Sequence, residues 1–118
     1  MTSLVACLGN EAGTAKHLEG IINKQEWGNI IVVCEKESKG LIKTNKKIEY
    51  IMIDSNKFLQ DIVKELKEKL ESKIKEVEVA INLVSGSGKL HMATLSALLK
   101  IGLGIRLVAL TINGVKEI

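Results

Sequence analysis

Residues 79–99 read VAINLVSGSGKLHMATLSALL, and no other stretch restricts the fold as strongly. The apolar run Val79 to Val84 gives way to Ser85-Gly86-Ser87-Gly88-Lys89, and a segment rich in Leu and Ala follows without a break. A short apolar run, a glycine turn and a helix start predict a strand, a tight junction and a helix. Glycines bring backbone close to a ligand with no Cβ in between. The unpaired N–H groups of a helix start and the Lys89 ammonium both favour negative charge there. The junction is therefore a candidate anion site, although the same sequence also serves a chain that only needs to turn.

The rest of the chain repeats this alternation. Leu4 to Leu8 is a buried first strand, followed by the loop Gly9-Asn10-Glu11-Ala12-Gly13. Thr14 is the expected cap of a helix running to about Lys24, with Leu18, Ile21 and Ile22 inward and Gly20 weakening it. Asn29 to Cys34 is a β-branched second strand. Glu35 to Asn45 fits either a loop or a short helix, and Lys47 to Ile53 is a third strand nearer the sheet edge. Asp54 or Ser55 is positioned to cap a second helix with Phe58, Leu59, Ile62, Val63, Leu66, Leu70 and Ile74 inward. Its other face mixes lysines and glutamates at helical spacing, the pattern of a solvated surface. Gly102 or Gly104 closes the third helix, Arg106 to Thr111 forms a fifth strand, and Asn113-Gly114 turns the chain before Val115 to Ile118.

Strand–helix pairs with short links imply parallel strands and right-handed crossovers. The expected fold is α/β, a Rossmann-like three-layer α/β/α sandwich over residues 1–118. Its mostly parallel five-stranded sheet should have the order 3-2-1-4-5. At 118 residues the chain holds one domain, and an apolar content of 46% with three aromatics calls for a core of Ile, Leu, Val and Ala. In that order the first and fourth strands are neighbours, and a crevice opens at their carboxyl ends. The loops Gly9 to Thr14 and Ser85 to His91 would rim it.

Composition and motifs exclude several classes. A net charge of +3, carried by sixteen lysines and the single Arg106, is too small to argue for duplex DNA. No apolar run reaches the ~18 residues of a membrane span, and no basic segment precedes the first strand, so a cytoplasmic protein is expected. Cys7 and Cys34 lie inside apolar runs as buried strand residues. A Walker-type loop would need glycine at position 83 and Ser or Thr after Lys89, where the chain has Leu83 and Leu90. Gly9 to Thr14 lacks the GxGxxG spacing, which removes a nicotinamide cofactor, and no cofactor is expected. His17 and His91 are both candidates to face the crevice, where a histidine serves as acid or base; without clustered carboxylates or thiolates they make no metal site. The third helix is apolar around most of its circumference. That pattern predicts a homodimer packed through residues 90–101.

The Ser85-Gly86-Ser87-Gly88-Lys89 loop, followed by a Met/Ala/Leu helix, resembles the Gly-(Thr or Ser)-Gly-Lys-type motif of the CARF family, the Rossmann-like sensor domains of CRISPR antiviral systems. Gly9 to Thr14 matches the place of that family's other loop. The resemblance implies a dimer whose paired crevices bind a cyclic oligoadenylate, with Lys89 and the Ser/Gly backbone on its phosphates. Some members also cleave the ring by in-line attack of a ribose 2′-hydroxyl. Two departures are the missing or reduced sixth strand and the absence of an effector domain or Arg-x4-His ribonuclease motif.

The leading expectation is a sensor for a nucleotide or cyclic oligoadenylate messenger, bound by Gly9, Asn10, Glu11, Thr14, Ser85, Gly86, Ser87, Gly88 and Lys89. The alternatives are a metal-independent phosphodiesterase using Lys89 and His91, and a structural or interaction protein with an empty crevice.

Overall fold

The computed structural model describes residues 1–118. Its elements are β1 (Ser3–Leu8), α1 (Ala12–Lys24), β2 (Ile30–Cys34), a single 3-10 turn (Lys36–Ser38), β3 (Glu49–Met52), α2 (Leu59–Lys73), β4 (Glu78–Asn82), α3 (Gly88–Ile101), β5 (Gly104–Thr111) and β6 (Gly114–Glu117). They form one six-stranded sheet in the order β3-β2-β1-β4-β5-β6. The first five strands are parallel and β6 returns antiparallel to β5. The expected order therefore holds across five strands. The short tail Val115 to Ile118 contributes most of a sixth strand, which Gly114 starts at φ +96°.

Side-chain alternation along the strands builds two cores. On one face Val5, Cys7, Ile31, Val33, Val79 and Ile81 pack under α2 and α3; on the other Leu4, Ala6, Leu8, Ile30, Val32 and Cys34 pack under α1. β1 and β2 are buried along their whole length, as apolar runs without polar alternation require. Gly20 has a reason to sit in α1: a Cβ there would come 2.6 Å from Leu110 Cδ2, so the glycine lets helix and β5 close together. Residues 35–46 form the 3-10 turn and an irregular strap, which buries Ile42 over the α1-side core.

Three local expectations need correction. α1 is capped at Glu11 with no side-chain bond, and Thr14 lies inside the helix. α2 starts at Leu59 rather than after Asp54 or Ser55, with Phe58 at its cap. Phe58 is consequently 79% exposed and Leu59 37%, because they precede the turns that lie against the sheet. Both cysteines are buried and unpaired. No helix is long and apolar enough to cross a membrane.

Candidate functional site

A cleft of about 390 Å³ opens at the carboxyl ends of β1 and β4, where the connections on either side of these neighbouring strands run in opposite directions across the sheet. Of the candidate residues, Gly9, Asn10, Glu11, Thr14, Gly86, Ser87 and Lys89 line it. Asn10 and Lys89, on separate junctions of the chain, share one cavity. Ser85 lies beneath the wall at 1% exposure, and Gly88 opens α3.

Glycine brings the two junctions together. A Cβ on Gly9 would stand 2.9 Å from Gly86 Cα, so the β1–α1 and β4–α3 loops touch backbone to backbone. Gly86 has φ +100°, a conformation that residues with a Cβ rarely adopt. Ser85 locks the contact: its hydroxyl accepts the Gly9 N–H at 2.8 Å and lies 3.0 Å from Thr14 Oγ1. The role expected of Thr14 as a cap is replaced by this cross-loop bond. Ser87 caps α3 by accepting the Leu90 N–H at 3.1 Å, which leaves earlier N–H groups of that helix start free of intrahelical partners.

Two further loops complete the rim, and sequence reasoning missed both. Ser38 donates to Asn10 Oδ1 at 2.6 Å, joining the strap after β2 to the β1–α1 loop. Glu35 Oε1 accepts the Ser55 N–H at 3.0 Å, joining the strap to the β3–α2 loop. Glu35, Ser38 and Ser55 all line the cleft, with Ile53, Ile62 and Leu90 supplying apolar wall. The available signal was position: these polar residues follow the carboxyl ends of β2 and β3, the same edge at which the glycine loops were sought.

Lys89 lines the cleft, but its ammonium is already engaged. Nζ donates to the Ser55 and Lys57 carbonyls, each at 2.7 Å. The two histidines do not line the cleft. His91 donates from Nε2 to the Ser85 carbonyl at 2.7 Å, since a carbonyl only accepts. His17 turns to β5, where Nε2 accepts the Leu110 N–H at 3.4 Å beside the buried Asn82. Asn82 itself donates to the Val108 carbonyl at 2.8 Å. Asn82 thus bridges β4 to β5 just beyond their last paired residues, Ile81 and Leu107, and His17 ties α1 to β5 beside it.

Burial pushes the Cys7 thiol up to about 12 and the Cys34 thiol to about 11, so neither is a nucleophile at neutral pH. Nowhere do three or more His, Cys, Asp or Glu side chains gather in a group able to hold a metal ion. Chemically, the cleft offers hydroxyls, backbone donors at a helix start, one lysine, and the carboxylates of Glu11 and Glu35. In comparisons with known proteins, no family model and no curated sequence matches this chain.

Proposed function

We propose that this chain is a ligand-binding sensor domain for a nucleotide or cyclic oligoadenylate messenger, acting as a homodimer. The observation that carries the reading is the convergence of Asn10 and Lys89 on one cleft between β1 and β4, into which the caps of both α1 and α3 face. Backbone N–H groups at the α3 start, reached past Gly86, suit a phosphate. Glu11 and Glu35 would repel a bare anion. They suit a ligand that also brings hydroxyl or amino donors, as a nucleotide does.

Binding is favoured over phosphodiesterase chemistry by what the polar side chains are doing. His91, the residue expected to move a proton in that chemistry, is spent on the Ser85 carbonyl and lies outside the cleft lining. The dimer reading draws on α3. Met92, Leu95 and Leu99 recur at three and four residues along its outer side, with Met92 60% and Leu99 61% exposed. Leu107, 46% exposed, lies on the same face of the sheet as α3. A second copy covering this apolar strip would remove it from water.

Thermal unfolding with and without cyclic oligoadenylates and 5′-AMP tests the reading. A ligand at 100 times its Kd adds about 2.7 kcal/mol of stability. No shift with any of them leaves the crevice without this function, and an intact ring after long incubation separates a binder from a phosphodiesterase.

A further inference from the structure

The four loops around the cleft are sewn into a closed ring. Ser85 joins the β4–α3 loop to Gly9, Asn10 joins the β1–α1 loop to Ser38, Glu35 joins the β2–β3 strap to Ser55, and Lys89 joins the β3–α2 loop back to α3. Three of these links use uncharged groups or a carboxylate that would repel an incoming anion. The fourth uses the one cation lining the cleft.

We propose that Lys89 is a latch: it holds the 54–58 loop in place while the cleft is empty, and an anionic ligand in the cleft takes the ammonium over and frees the loop. The proposal rests on the cleft's reading as an anionic-ligand site. The Lys89 side chain is exposed and its stem is flexible, so the ammonium can exchange acceptors without disturbing the core. A phosphate is a stronger acceptor for an ammonium than two neutral carbonyls. The loop has little else to hold it. Its other tie to the rest of the rim is the Ser55 N–H on Glu35, while the Asn56 N–H turns back to Asp54 and Lys57 pairs with Glu65 of α2. Freeing 54–58 also frees the first turn of α2, because the Asp61 and Ile62 N–H groups both donate to the Phe58 carbonyl. Phe58, exposed beside this turn, moves with it. Occupancy of the cleft is thus converted into a change at a surface that carries an aromatic side chain, a readout that needs no change in the sheet.

Amide hydrogen exchange on the full chain tests this, comparing wild type, Lys89→Met and Lys89→Arg, each with and without 5′-AMP and, in parallel, a cyclic oligoadenylate. Without ligand, Lys89→Met should exchange about tenfold faster over residues 55–58 with β1 and β2 unchanged, and Lys89→Arg should restore protection. In wild type, ligand should protect residues 86–89 while raising exchange over 55–58. Equal exchange of wild type and Lys89→Met overturns the latch. Protection of 86–89 with no change at 55–58 also overturns it but leaves the site standing, whereas no protection at 86–89 with either compound overturns the site and the latch together.

Discussion

Gly86 Cα occupies the space into which a Cβ on Gly9 would project, 2.9 Å away. Two junctions separated by more than seventy residues are thereby fixed against each other, and the cleft exists because neither carries a side chain at that point. Gly9→Ala should destabilise the fold by about 1–3 kcal/mol, the usual cost of forcing atoms into a packed contact with backbone. Gly13 is the matched control, since a Cβ there meets nothing within 4 Å and the position is helical. Gly13→Ala should be neutral or stabilising by up to ~1 kcal/mol in urea unfolding. Equal losses in the two variants would contradict the contact.

Ser85→Ala tests the lock beneath the cleft. The Gly9 N–H would lose its acceptor in a place where the Ser85 side chain is 1% exposed, a loss of about 1–3 kcal/mol. Thr14→Val removes the partner of that hydroxyl, and with it a 3.2 Å contact to the Glu11 carbonyl, at a half-buried helix position and should cost less, about 1 kcal/mol. Chemical denaturation of both single variants and the double variant measures the coupling, and strict additivity would count against a shared network.

The two thiols set an alkaline limit. Cys7 is raised by burial from 9.0 to about 12 and Cys34 from 9.0 to about 11, so the folded state keeps protons that the unfolded state releases. Stability is fully present below pH 9 and falls as pH rises from 9 through the folded values. Urea midpoints at pH 8 and pH 10.5 should show the loss, and replacing both cysteines by alanine should flatten the slope even though it lowers stability overall. At neutral pH both thiols should resist a thiol-specific reagent until the chain is unfolded; rapid labelling of the native protein would refute their burial.

Leu99→Lys places a charge on the outer side of α3 without touching either core. Sedimentation should give twice 12.9 kDa for wild type and 12.9 kDa for the variant, with little change in unfolding midpoint for the isolated protomer. A wild-type chain that sediments as a monomer at high concentration would remove the dimer.

The parallel part of the sheet is legible because β1, β2 and β4 are apolar on both faces and glycine loops punctuate them, so the order of the first five strands follows from local pattern and the handedness of crossovers, whereas the sixth strand, a four-residue antiparallel return after Asn113, carries no such pattern. Phe58 was misplaced because apolar spacing was extended one turn past the helix start, where the chain is still part of the 54–58 loop. Thr14 and His17 were misassigned for a different reason. Each has a plausible local role, but their partners, Ser85 and Leu110, lie 71 and 93 residues away and no local pattern encodes the pairing. Glu35, Ser38 and Ser55 were missed because an isolated polar residue after a strand carries no motif.

The central claim is that the cleft at the β1 and β4 ends receives a phosphate-bearing nucleotide. Backbone amide NMR of the labelled protein, titrated with a cyclic oligoadenylate and with 5′-AMP, reads this residue by residue. Saturable shifts are expected at residues 9–14 and 85–90, at Glu35 and Ser38, and over residues 54–62, where release of the Lys89 ammonium frees the loop and the first turn of α2. Saturable shifts elsewhere, for instance around Trp27 and Lys46 at the opposite end of the sheet, or no shifts at millimolar ligand, would contradict the claim.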